Sequence, residues 1–342
     1  MKVTMKKSLS IVALAGLVAG CMNVNAVSVM ADKKDAGELV LYSPAPEDLL
    51  NAVVQEFQDK TGIKVELVQA GSGELLTRVK SESNNPMADV VYGCGAEAAE
   101  AYKEYFAPYQ SPEAEAIRED YKSEDGSWTG AFVSPTIIMY NKNLVAEDEV
   151  PTGWSDLIDE KWKGQMAFAD PAISGSSFTT LSILLTAMDE GDGGWDYIRG
   201  FVKNLDGNIL NSSGAPIKGV ADGEYAMCIT QEQGALEYTL AGAENVGIVY
   251  PEEGTAAIPS AVSIVKGSPN EENAKKFVDF VLSEEMQQKV PEYRYHMVRE
   301  DVEENGEFAP LSEIKMLDFD FMKASEEKDN YVKQWNDIVI GK

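Results

Sequence analysis

Apolar positions in the early part of the chain switch period several times over. The run ELVLYS (38–43) is short, mostly apolar and followed by a proline-containing turn, which predicts a strand. In the next segment Leu49, Leu50, Val53, Val54 and Phe57 fall on one face at helical spacing, and Gly62 closes the run, so a helix is expected there. IKVELVQA (63–70) predicts a second strand, Gly71-Ser72-Gly73 a loop, and ELLTRVKSES a second helix. ADVVYGC (88–94) predicts a third strand, which passes through Gly95 into another helix. Strand–helix alternation of this kind predicts a parallel, doubly wound α/β sheet. In such sheets ligands sit beyond the carboxyl ends of the strands, which here are Ser43, the 71–73 loop and Cys94-Gly95.

The pattern then changes. Residues 127–145 carry continuous apolar runs that predict buried strands crossing to a second unit. MAFADP and YAMCIT predict further strands, each feeding a helix, and strands return in residues 246–267. The stretch 270–290 is amphipathic at helical spacing, and FMKASEEKDNYVKQWNDIVIG predicts one more helix near the end. The expected organisation is an α/β protein of two lobes. Lobe 1 is discontinuous (37–134 and 256–311), lobe 2 is inserted (135–255), and 312–342 is a C-terminal helical segment.

Composition adds a location and a puzzle. The first seven residues hold three lysines and no acid, followed by a short apolar run ending in LVAGC, Leu17 to Cys21. That arrangement resembles the lipobox of bacterial lipoproteins, which implies a signal peptide over 1–21 and a lipidated Cys21. Cleavage after Ala26 or Ala31 is the alternative. Residues 22–36 have no periodic pattern and read as a tether, so a globular domain held outside the cytoplasm by a lipid anchor is expected. The remaining thiols, Cys94 and Cys228, are expected to be free and buried rather than paired. The chain carries 29 basic against 57 acidic residues, a formal net charge of −28, which argues against nucleic acid as a partner.

Against that acidity stands FADPAISGSSFTTL. Ser174-Gly175-Ser176-Ser177 lies between an expected strand and an apolar helix, an arrangement that can gather N–H groups and hydroxyls around an anion. Taken alone, Ser174 also reads as an ordinary helix N-cap.

Several motifs in order resemble those of bacterial extracellular solute-binding proteins, in the branch of ferric, phosphonate and sugar-phosphate receptors. They are Tyr140-Asn141, Pro151 to Leu157 (PTGWSDL), Lys161 to Gly164 (KWKG), Ala169 to Gly175, Tyr250 to Thr255 (YPEEGT), and IVKGSPNEENAKKFVDFVLS. The resemblance implies a two-lobed, periplasmic-binding-protein-like fold of type II, with two crossing hinge strands and a ligand cleft between the lobes. It implies a monomeric receptor of an ABC importer that closes on a small anionic solute and docks on a membrane permease. It also implies that the Ser174–Ser177 turn holds a phosphate together with Ser43. Ser72, Ser134 and Thr136 are further candidates, and Gln231, Glu232 and Glu253 are expected near a polyol or amine end. Helix N-termini can hold the anion because they present unsatisfied N–H groups, and distant surface charge is screened over about 8 Å.

The same resemblance offers ferric ion as the alternative, since hard Fe³⁺ prefers phenolate and carboxylate oxygen. At the matching strand end, however, stand Thr230-Gln231-Glu232 and no adjacent tyrosines. No paired-cysteine or His-x-x-x-His spacing occurs, and any catalytic dyad would have to recruit the single histidine, His296. No enzymatic activity, resident metal or cofactor is therefore expected.

Overall fold

The computed structural model describes residues 37–304 and 306–341; the expected leader, Cys21 and the tether 22–36 lie outside the described residues. Two mixed sheets organise the described chain. The first begins with β1 (Glu38–Ser43), α1 (Glu47–Thr61), β2 (Lys64–Gln69), α2 (Ser72–Ser81), β3 (Val90–Gly95) and α3 (Ala96–Ala101). Leu49, Leu50, Val53 and Phe57 of α1 are fully buried, as their helical spacing requires. Gly62 ends that helix in the left-handed region at φ 73°, where its N–H returns to the carbonyl of Gln58.

After β4 (Phe106–Ala107) and β5 (Thr129–Phe132) the chain crosses into the second sheet. That sheet is built from β6 (Thr136–Asn141), β7 (Met166–Ala169), β8 (Ile209–Leu210), β9 (Met227–Gln231) and β10 (Val246–Val249). Packed on it are α4 (Gly175–Ala187), α5 (Trp195–Leu205), α6 (Gly214–Asp222) and α7 (Glu232–Leu240). The chain then returns to the first sheet as β11 (Ser260–Val265), followed by α8 (Glu271–Leu282) and α9 (Glu284–Gln287). Strand order is β2-β1-β3-β11-β4, with β5 also on β11, and β10-β6-β9-β7-β8.

The two crossings run side by side. Thr255 donates its hydroxyl to the carbonyl of Thr136 at 2.6 Å, and the N–H of Thr136 donates to Ala256 at 3.1 Å. Each lobe has its own core. Phe57, Tyr92 and Phe277 meet edge to face in the first, and Phe168, Phe201 and Trp335 do so in the second.

Three expectations need correction. The first sheet is parallel only across β2, β1 and β3; β11 runs antiparallel to β3 because it re-enters from the second lobe. The amphipathic run 270–290 breaks at Ser283, whose hydroxyl accepts from the N–H of Met286 and starts α9. The C-terminal segment is two helices, α10 (Phe321–Glu326) and α11 (Lys328–Val339). Asp320 caps α10 by accepting from Lys323 N–H at 2.9 Å. This segment forms a strap: α10 packs on α3 of the first lobe and α4 of the second, while α11 lies on α4 and α5. Phe321 meets Trp128 of the first lobe at 6.1 Å, and Trp335 meets Phe168 of the second at 5.7 Å.

Candidate functional site

A cavity of 920 Å³ lies between the lobes, lined by the ends of β2, β3, β7, β8 and β9, the start of β11, and the strap. A smaller one of 310 Å³ sits on the first lobe near Tyr109, Lys122 and Trp128, between the end of β4 and the start of β5. The larger cavity is where the topology collects backbone donors. Gly71 precedes α2, Ser174 caps α4, and Ser212-Ser213 precedes α6, and all of them line it. The first N–H groups of a helix have no intrahelical acceptor and carry a partial positive charge. Nothing lies within 4 Å of where a side chain would begin at Gly71, Gly73, Gly175 or Gly214, so the backbone at these turns is open to a ligand.

Charge placement sharpens the picture. Acidic residues occupy the first turns of α1 (Glu47, Asp48) and α8 (Glu271, Glu272), as the helix dipole favours. The first turns of α4 and α6 hold none. In a chain with 57 acidic residues, two helices leave the positive ends that face the cavity without an internal counter-charge.

The structure brings together only part of the expected site set. Ser72, Ser174, Gly175, Ser176 and Gln231 line the cavity. Ser177 stands one layer below: its N–H and its hydroxyl both donate to Ser174 Oγ, at 3.2 and 3.0 Å. Ser174 is thus the helix cap, and Ser176, 3.1 Å away from it, is the hydroxyl that faces the cavity. Ser72 also bonds the Cys94 thiol, whose pKa burial pushes up to about 12 despite that contact. Cys94 and Cys228 are both free and buried.

The other candidates are engaged by the protein. Ser43 is fully buried and donates to the carbonyl of Tyr92 at 2.6 Å while accepting from Ala45 N–H, so it fastens β1 to β3. Ser134 accepts from Gln233 N–H at 3.0 Å and caps α7, and Thr136 belongs to the paired crossings. Glu253 accepts from the N–H groups of Trp154 and Ser155, both at 2.9 Å. Burial works against its charge, but those bonds hold its pKa below the usual carboxylate value.

Glu232 is fully buried and meets His296 at 2.6 Å. The other imidazole nitrogen meets Glu304, the Tyr250 hydroxyl bonds Glu232, and the Phe308 ring stands edge-on to the imidazole. Burial lowers the His296 pKa, yet the two carboxylates outweigh it and raise it to about 9. His296 and Glu232 therefore form an ion pair at the root of the crossings, where Val133 and His296 also exchange backbone bonds. It is a structural joint.

Sequence reasoning missed Glu97, Tyr102, Asn211 to Ser213, Lys328 and Asp329, all of which line the cavity. The stretch NSSGAP (211–216) repeats the small-residue turn of ISGSS, and was hidden because the strand before it has only two residues. Glu97 is the other notable case. Its Oε2 is sealed from solvent without a hydrogen-bond partner, and burial raises the pKa of the carboxyl against the pull of nearby N–H groups and Lys328.

The sequence profile of a family described as bacterial extracellular solute-binding protein matches residues 85–325. Iron uptake protein A1 of Synechocystis is 32% identical over 292 residues, covering 81% of this chain and 80% of that protein. A putative 2-aminoethylphosphonate-binding periplasmic protein of Salmonella typhimurium is 27% identical over 294 residues, covering 83% and 81%. Among solved structures, the periplasmic binding protein AfuA of Actinobacillus pleuropneumoniae, with fructose-6-phosphate bound, superposes with a TM-score of 0.78. It is 27% identical, and the match spans 90% of this chain and 99% of that one.

Proposed function

We propose that this chain, which belongs to the bacterial extracellular solute-binding protein family, captures a small organic phosphorus oxyanion, a sugar phosphate or a phosphonate, for an ABC importer. At the coarser level the chain is a type II solute-binding protein of such importers. The observation that carries the finer reading is the set of α2, α4 and α6 N-termini around one interlobe cavity, with the first turns of α4 and α6 free of acid. Neutral donors aimed at one point bind an anion strongly once water is excluded, because each hydrogen bond to a charged group is worth about 1.5–3 kcal/mol. In this reading the protein performs no chemistry: the lobes close about the Thr136–Thr255 crossings, and the closed form is what a permease recognises. The leader and Cys21 would then hold a monomeric receptor at the outer face of a membrane.

A second reading, ferric ion as the solute, is favoured by several relatives with iron in their names, the 32% identical iron uptake protein among them. Within the cavity it has Glu97, Tyr102 and Asp329 as oxygen donors. Thermal unfolding against sugar phosphates, phosphonates, free sugars, polyamines and ferric citrate separates the two. A ligand at 100 times its Kd adds about 2.7 kcal/mol to stability. Stabilisation by phosphorylated or phosphonate compounds is expected. Stabilisation by ferric citrate alone, with a visible phenolate absorption band, would overturn the organophosphorus reading.

A further inference from the structure

Lys328 stands where the fold alone gives a cation little support. It is the first residue of α11, and the unsatisfied N–H groups of that turn already carry positive charge. Its ammonium lies over the Phe178 ring, 5.4 Å from the centroid, and Phe178 belongs to the first turn of α4. A second positive helix end, one without acid, therefore lies beside it. Lysines on other helices reach acids: Lys60 pairs with Glu56 and Glu285, Lys275 with Glu271 and Glu272, and Lys289 with Glu56. Lys328 forms no such ion pair among the described residues; its field reaches Glu97 of the first lobe, a carboxyl that burial inclines to the neutral form. The turns before α2, α4 and α6 hold no lysine or arginine. Among the described residues, the one lysine or arginine in the cavity wall is Lys328, and it arrives on the strap.

We propose that Lys328 is a solute-binding residue, its ammonium pairing with an oxyanion seated beside Ser176 on the first turn of α4. The proposal rests on the organophosphorus reading above and adds to it a charged donor from outside both lobes' strand ends. An anion at that point draws on the α4 N–H groups and the ammonium together, and so turns their mutual repulsion into two attractions. Phe178 keeps the ammonium in place while the cavity is empty, because a ring face attracts a cation without neutralising it. Glu326 and Asp329 line the same wall, so the strap offers the solute one cation rather than a positive surface. Since α10 packs on α3 of the first lobe and on α4 of the second, a solute held by Lys328 is tied to the segment that joins the lobes.

The test is calorimetric titration of the wild-type chain, Lys328→Gln, Lys328→Arg and Lys323→Gln with fructose-6-phosphate, 2-aminoethylphosphonate and inorganic phosphate. Lys323 is exposed on α10 and does not line the cavity, so its variant removes the same charge from the strap without touching the site. Lys328→Gln should weaken each compound that the wild type binds by about 10-fold or more, the worth of one charged hydrogen bond. Lys328→Arg should stay within a few-fold of the wild type, as should Lys323→Gln. Without ligand, Lys328→Gln should melt with the wild type. Unchanged affinity in Lys328→Gln overturns the proposal. An equal loss in Lys323→Gln also overturns it, since only the long-range field would then be at work. A Lys328→Gln chain that melts well below the wild type overturns it too, because the ammonium would then serve the packing of Phe178. Each of those results leaves the organophosphorus reading standing. Failure of all three compounds to bind the wild type would end both.

Discussion

Ser174 and Ser176 stand two residues apart and answer to different measurements. Ser174 holds the N–H of Ser177, so Ser174→Ala should cost about 1 kcal/mol in urea unfolding whether or not ligand is present. Ser176 faces the cavity, so Ser176→Ala should leave unfolding within about 0.5 kcal/mol while weakening an organophosphorus ligand by about 10-fold. An unchanged Kd would remove Ser176 from the site. His296 makes a separate prediction. Its pKa is raised to about 9 in the fold, against 6.5 for the free side chain. The ion pairs to Glu232 and Glu304 therefore contribute fully below pH 6.5 and are lost as pH rises through about 9. The gap in unfolding free energy between wild type and His296→Gln should shrink by up to about 3 kcal/mol between pH 6 and 10. A gap constant over that range would mean that His296 is neutral in the native state. Nothing in the sequence marks Ser43, Ser134 or Glu232 as internal and Ser72 or Ser176 as facing the cavity; only the pairing of distant strands decides which hydroxyl is consumed by a carbonyl.

Elements were more legible than residues. The hydrophobic pattern places β1 at Glu38–Ser43 and α1 behind it, because burial of Leu49, Leu50, Val53 and Phe57 depends on local spacing alone. It failed where direction or breaks depend on the rest of the molecule. An antiparallel β11 looks like a parallel one in sequence, and the break at Glu327 between α10 and α11 is set by what the strap must reach. Within the strap, Trp335 is buried against Phe168, whereas Phe321 reaches Trp128 of the other lobe. Trp335→Ala should therefore lower stability by about 3–5 kcal/mol in urea unfolding. A loss below about 1 kcal/mol would mean that α11 is not part of the second core.

At the scale of the whole molecule, the net charge of −28 and the cavity act at different ranges. The helix ends work at contact, inside a space from which water leaves; the surface field works at a distance and opposes the approach of an anion. Association of an anionic solute should therefore quicken as salt screens that field, while dissociation changes little. Stopped-flow mixing at about 20 and 200 mM salt reads this directly. An on-rate that falls with salt would point to local positive steering, with Lys328 the first group to examine.

The two described cysteines lead to a practical consequence. Cys94 sits on β3 of one lobe and Cys228 on β9 of the other, each sealed in a core. Burial pushes the pKa of both well above that of an exposed thiol. Neither will compete for a maleimide at neutral pH. Placing one new cysteine on the exposed face of α11 and a second on the outer face of α2 would give a clean site for a dye on each side of the cleft. A receptor built in this way can become its own optical sensor, reporting a solute by the distance between two fluorophores.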